Sequence, residues 1–235
     1  MTTETEPPRV DFIKFFSDRA AVANYTDGPR RFLPGLEALH SMTSILLAER
    51  APADARVLVL GAGGGLELKA LAEAHPGWNF VGVDPALPML EVAEQTLGPL
   101  MNRVELVEGY IDDAPVGPFD AATCLLTLHF LDAPTRVQTV RAIHDRLKPG
   151  APFVAAHSSF PQAPSSRPAW LERYAAYAVA SGIDPQQAAG ARESVAANLD
   201  LFDPEKDEDI LRDGGFADPE MFFAAFTWRG WIAHA

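Results

Sequence analysis

The chain has 235 residues, with 19 basic against 32 acidic side chains for a formal charge of −13. No run of lysine or arginine could track a phosphate backbone, so nucleic acid is not an expected partner. No apolar stretch approaches the ~20 residues that cross a bilayer, and the single cysteine, Cys124, with no charged-then-apolar leader, suits a reducing cytoplasm and excludes an intramolecular disulfide.

In chain order, residues 1–9 (MTTETEPPR) are polar and proline-bearing and are expected to fray. The next stretch sets aromatics among charges and Gly/Pro breaks and reads as short helices and loops. Leu36, Leu39, Thr43, Leu46 and Leu47 then mark one face of a helix ending near Arg50. This divides the chain into a helical cap, 1–50, and a main domain, 51–235. Strands are expected at 56–60, 79–83, 104–108, 121–127 and 152–157, alternating with helices at 66–74, 86–97 and 134–147. Such alternation implies βαβ crossovers and an α/β fold with a doubly wound, mostly parallel sheet. The Pro/Ser-rich PQAPSSRP at 161–168 then opens an insert over about 161–200 with helices near 169–181 and 184–199. A charged helix follows at 204–213, whose acids at 205–209 read as a solvated helix N-terminus, and two strands close the chain.

Glycines at 61, 63, 64 and 65 sit between the first strand and its helix. There they allow positive φ and let a ligand lie against the main chain near the helix N-H groups. The spacing does not fit G-x-G-x-x-G in either register, but Gly61, Gly63 and Gly65 fit G-x-G-x-G. Asp84, at the end of the second strand, is placed to accept both hydroxyls of a ribose. EGYIDDAP after the third strand lies beside the same crevice, where a backbone N-H and an apolar side chain can meet an adenine.

These segments, with RLKPGAPFV at 146–154, resemble the class I S-adenosylmethionine-dependent methyltransferases over about residues 50–235. The resemblance implies a Rossmann-like seven-stranded sheet with an antiparallel last strand, S-adenosylmethionine as cofactor and S-adenosylhomocysteine as product. It assigns Gly61, Ala62 and Gly63 to the methionine part, Asp84 to the ribose, Pro85 and Leu87 to the ribose or adenine, Tyr110 and Ile111 to adenine, and Leu125 to the cofactor wall. The family often has an acid at the position of Val59 and an aspartate at that of Tyr110. Ammonium recognition is therefore left to carbonyls of the 61–63 turn and to the N-terminal segment.

Methyl transfer from a sulfonium is an in-line displacement, so few catalytic residues are expected. His129, just past the fourth strand, is the candidate base or pocket wall. The stripe of Trp170, Tyr174 and Tyr177 in the insert is the candidate acceptor surface, although such stripes are more often core. No metal is expected, since the six histidines have no ligand spacing. TLHF stands where amino-methyltransferases acting on nucleobases carry an Asn/Asp-Pro-Pro-aromatic run, which favours a small-molecule acceptor.

LPGLEAL, LLTLHFL, GGF and the aromatic tail are also similar in order to the carboxy-S-adenosylmethionine synthases. Arg192 matches the arginine that holds the added carboxylate in that family, whereas Leu36 and Leu125 replace its tyrosine and asparagine. Arg192 and the insert together lead to the expectation of an acidic or partly apolar acceptor. Modification of the cofactor itself and non-catalytic cofactor binding stay open as alternatives, as does a homodimer.

Overall fold

The computed structural model describes residues 12–22 and 27–235; the expected fraying of residues 1–9 lies outside them. The N-terminal part forms α1 (Phe12–Phe16), α2 (Arg19–Val22), α3 (Gly28–Phe32) and α4 (Leu36–Ala48). Strands and helices then alternate as β1 (Arg56–Leu60), α5 (Leu66–Ala74), β2 (Asn79–Asp84), α6 (Leu87–Leu97), β3 (Val104–Glu108), β4 (Ala121–Leu125), α7 (Ala133–His144) and β5 (Pro152–Ser158). The insert is α8 (Arg167–Ala180) and α9 (Pro185–Asn198), followed by α10 (Pro204–Asp213) and the hairpin β6 (Ala217–Ala225) and β7 (Trp228–His234). Local chemistry sets several of these ends. Asp184 and Asp203 accept N-H groups at the starts of α9 and α10, as capping carboxylates do. His75 precedes Pro76, which disfavours helical backbone, and α5 stops there with His75 at φ −126° and ψ 86°.

The seven strands are ordered β3-β2-β1-β4-β5-β7-β6. Pairing is parallel from β3 through β5, while β7 runs antiparallel to both β5 and β6. The order reverses between β1 and β4, where open α/β sheets leave a crevice at the strand carboxyl ends. Side chains of β1 alternate between two cores. Val57 and Val59 pack with Leu39, Leu68, Leu71 and Leu90, while Leu58 and Leu60 pack with Val140, Ile143 and Ile210 on the other face. A strand covered on both sides needs apolar residues at every position, which is why RVLVL reads as a continuous run.

A boundary at residue 50 does not separate a cap from the domain. Leu36, Leu39 and Leu47 of α4 are at most 2% exposed and belong to the same core cluster as β1 and α5. The apolar face of α4 is thus consumed in covering the sheet.

The acids of α10 are not all solvated, as the sequence led us to expect. Asp207 and Arg136 of α7 are fully buried and pair at 2.5 Å, with His157 Nε2 of β5 3.1 Å from the same carboxylate oxygen. Arg136 also donates to the carbonyls of Leu131 and Asp200, at 3.1 and 2.7 Å, and lies over the Phe202 ring. Burial pushes the Asp207 carboxyl up, but His157, Arg136 and Ser159 outweigh it and hold the group below the usual carboxylate range. Removing one partner of a buried pair strands the other charge. Asp207→Ala should therefore lower unfolding free energy by about 3–5 kcal/mol in urea melts. Because the folded-state value is depressed, Asp207 contributes stability above the ordinary carboxyl range, and that contribution disappears as pH falls through the folded value. Wild-type protein should lose stability on acidification more steeply than the variant.

Helices α5 and α6 approach closely at Gly65. Its φ is +79°, and a Cβ there would fall 2.9 Å from the Ala93 Cα. Gly98 has φ +52° but nothing within 4 Å of the point a Cβ would occupy. Gly98→Ala should cost about 1 kcal/mol from backbone strain alone, and Gly65→Ala clearly more, as read by the two melting temperatures.

Candidate functional site

The turn after β1 is shaped by three residues of positive φ: Gly61 at 79°, Gly63 at 49° and Gly65 at 79°. Gly61 and Ala62 both donate to the Val83 carbonyl, at 2.8 and 3.0 Å, so the turn is sewn to β2. Asp84 finishes the seam. Its Oδ2 accepts the Gly63 N-H and its Oδ1 the Ala86 N-H, each at 2.9 Å. A carboxylate oxygen has two acceptor directions, so each retains one after these bonds. Burial pushes the Asp84 carboxyl above its ordinary value, against the two N-H groups that oppose this. The Asp84 carbonyl in turn accepts the Gly109 N-H at 3.1 Å, bringing the loop after β3 alongside.

These loops border a cavity of about 710 Å³, within the ~300–1,000 Å³ usual for small-molecule sites. Gly61–Gly64 and Asp84 form one side, with Tyr110 and Ile111 beside them. Tyr110 is 52% exposed, at the rim, while Ile111 is buried. The Asp113 carboxylate accepts the Tyr110 N-H at 2.8 Å, which fixes the short 3-10 turn carrying both residues. A further part of the wall comes from the end of β4. That strand stops at Leu125, two residues earlier than its apolar run suggests, because Leu126 turns into left-handed backbone at φ 56°. Such a conformation is strained for leucine and marks a site fixed by its surroundings. Leu125, Leu126 and Thr127 all face the cavity as a result.

Residues from the N-terminal helices, α9 and α5 also reach the site, most of them not singled out from the sequence. Ile13, Phe16, Leu36 and His40 enter from the N-terminal helices. Burial drives the His40 imidazole down to about 4, so it is neutral near pH 7. Asn198 closes α9 on the same cavity. Glu67, in the first turn of α5, lines it too, although only 7% of the residue is exposed. A helix face cannot be assigned to a cavity until the neighbouring elements are placed. The hint available in the sequence was an acid at the second position of an otherwise apolar helix face, directly behind the glycines.

Of the residues singled out from the sequence, Gly61, Ala62, Gly63, Asp84, Pro85, Tyr110, Ile111 and Leu125 line this one cavity. Leu87 does not: it begins α6 and points outward, 43% exposed. His129 is behind the wall, 4% exposed, with Nδ1 accepting the Ser158 N-H at 3.4 Å and its ring edge-on to Trp228. Burial, then His157 and Arg136, push its pKa well below the usual histidine value. It is a neutral packing residue in this position.

The aromatic stripe is likewise spent on packing. Tyr174 stacks on Phe32 with centroids 5.4 Å apart, and burial pushes its hydroxyl pKa up. Tyr177 meets Phe226, and Trp170 lies under Arg173 and Arg229. Arg192 pairs with Glu172 and Glu193 on the insert surface. The helices α8 and α9 pack on one another through Ala175, Ala178 and Ala188, which turns the stripe toward α3 and the β6–β7 turn instead of the cavity.

No helix among the described residues is long and apolar enough to cross a membrane. A methyltransferase domain family matches residues 58–153. The carboxy-S-adenosyl-L-methionine synthase of Campylobacter curvus is 25% identical over 210 residues, covering 89% of this chain and 90% of the relative. That of Aeromonas hydrophila is 25% identical over 224 residues, covering 93% and 90%. A ubiquinone biosynthesis O-methyltransferase of Xanthomonas axonopodis pv. citri is 33% identical over 142 residues, 56% of this chain and 55% of that protein. Among solved structures, PigF with S-adenosylhomocysteine superposes with a TM-score of 0.69 at 16% identity, covering 97% of this chain and 63% of PigF. An O-methyltransferase family protein from Burkholderia thailandensis gives 0.69 at 18%, covering 94% and 61%. The chain thus spans about three fifths of the length of these structural neighbours. With the sheet order and the glycine-turn crevice it displays, the chain has the fold of the class I S-adenosylmethionine-dependent methyltransferases, and its residues 58–153 match a methyltransferase domain.

Proposed function

We propose that this enzyme methylates a small-molecule acceptor with ordinary S-adenosylmethionine, held by the glycine turn, Asp84 and the loop at Tyr110 and Ile111. When bound, the cofactor supplies a methyl group on a sulfonium, ready for in-line displacement. The protein's residues fit this ligand. The glycines keep side chains off the face of the turn that borders the cavity, Asp84 retains two acceptor directions toward a pair of hydroxyls, and Ile111 offers an apolar face to a base. Ile13, Phe16 and Leu36 give the remaining space an apolar wall suited to excluding water from the acceptor, with His40 as a neutral polar group among them.

The observation that carries the choice of cofactor is the charge of the cavity. No lysine or arginine is among the described residues that line it, while Glu67, Asp84, Asp112 and Asp113 are. Such a lining favours a cationic sulfonium and disfavours an additional carboxylate, which needs donors to be held as an anion. Arg192 is engaged with Glu172 and Glu193, and Leu36 and Leu125 present hydrocarbon to the cavity. The same charge argument removes the support that Arg192 gave to an acidic acceptor. The second reading, a carboxylated cofactor, is favoured by the relatives along nine-tenths of the chain.

The mass of the ligand released on denaturing purified protein separates the two. We expect S-adenosylmethionine or S-adenosylhomocysteine; a near-stoichiometric species heavier by one carboxylate group would establish the second reading. S-adenosylhomocysteine should raise the melting temperature, by about 2.7 kcal/mol of added stability at a hundredfold excess over Kd, whereas NAD should not. Asp84→Ala should weaken that binding by about 1.5–3 kcal/mol, measured by calorimetry; unchanged affinity would remove Asp84 from the site.

A further inference from the structure

The cavity contains one acid that its architecture does not explain. Glu67 is more than nine-tenths buried, and its Oε1 has no hydrogen-bond partner among the described residues. Burial pushes the carboxyl up to about 8, with the Thr123 hydroxyl opposing. Leaving such a group unpaired costs folding free energy, and the helix N-terminus it occupies, which favours anions, does not overcome the desolvation. A side chain of this kind calls for a partner that arrives from outside.

The position narrows what that partner is. Glu67 lies two residues behind Gly65, in the first turn of α5, and lines the cavity beside the glycine turn; in the proposed pose Asp84 and Tyr110 receive the nucleoside, which leaves the amino-acid end to the turn. Val57, Leu58, Val59 and Leu60 are all buried apolar residues, so β1 brings no acid to the turn. No cation of the protein lines the cavity among the described residues. We propose that Glu67 is the counter-ion for the α-ammonium of the cofactor's amino-acid end, and that cofactor binding expels a proton from this carboxyl to solvent. The proposal rests on S-adenosylmethionine occupying this cavity. It replaces the expectation that only turn carbonyls and the N-terminal segment receive the ammonium.

Other titratable groups bear on Glu67 from the elements around α5. Cys124 on β4 is buried, its thiol pushed up by burial and by Glu67 itself. Asp84 on β2 and His40 on α4 share the cavity. On α6, Glu91 pairs with Arg19 and Glu94 is exposed. Arg103 is bound to the Ala72, His75 and Trp78 carbonyls at the far end of α5. An ammonium beside Glu67 selects its ionised form, so affinity should fall as pH drops below about 8, approaching tenfold per unit.

Calorimetric titration of wild-type protein with S-adenosylhomocysteine at pH 7, in buffers of different ionisation enthalpy, reads the proton directly. We expect release of nearly one proton, and an affinity at pH 6 about tenfold below that at pH 7. Glu67→Gln keeps the size of the side chain but should release none and lose the pH dependence, with binding weakened at least tenfold at pH 7. Its affinity for 5′-methylthioadenosine, which lacks the amino-acid end, should match wild type and shows that the nucleoside end is intact. Asp84 and His40 are present in both proteins, so any proton they contribute survives in the variant. Tight wild-type binding without proton release, or equal release in Glu67→Gln, overturns the proposal. Absence of S-adenosylhomocysteine binding to wild-type protein removes the cofactor assignment and the proposal with it. The buffer series needs only wild-type protein, so an unstable variant does not prevent the test.

Discussion

The backbone seam between the ends of β1 and β2 is the constraint on which the site depends. Three left-handed glycines let the chain reverse direction without a side chain in the way, two of its N-H groups are fixed on Val83, and the Asp84 carboxylate ties a third to the start of α6. The seam also sets helix packing, because α5 and α6 touch at Gly65 and Ala93. The shape of the cavity and the packing of the core are therefore set by the same few residues. One side of Asp84 holds the loops together, and the other remains available to a ligand.

Charge is distributed unevenly about the sheet, with consequences on both sides. Behind β4 and β5 an arginine, an aspartate and a histidine cluster and join α7, α10 and β5 without reaching the cavity. At the carboxyl ends of the strands, acids are present without basic partners among the described lining residues. The first arrangement fixes the position of α10 and the closing hairpin. The second gives the cavity an acidic lining, which favours cationic ligands.

The N-terminal helices and the insert divide the remaining work. Helix α4 completes the core and simultaneously offers Leu36 and His40 to the cavity. The insert, which the sequence presented as the acceptor surface, buries its aromatic residues against α3 and the β6–β7 turn and gives the cavity Asn198. Its Trp170, Tyr174 and Tyr177 stabilise the placement of these outer helices.

The sequence by itself determined the strand and helix alternation, the glycine turn and Asp84, since each depends on short-range pattern: β1 on a run of apolar residues, the turn on residues that tolerate positive φ, the strand-end acid on its distance from the glycines. It also carried part of the cavity wall, because Tyr110, Ile111 and Leu125 lie at or just past strand ends that the pattern locates to within two residues. Tertiary structure decided which way the faces turn. Asp207 lies within a run of acids that looks solvated until α7 places Arg136 opposite it, and His129 is directed inward by the left-handed step at Leu126. His40 and Glu67 became cavity residues only through the docking of α4 and α5 on the sheet. Local sequence sets periodicity and turn chemistry; burial, and with it the protonation and availability of each polar group, is set by contacts between residues far apart in the chain.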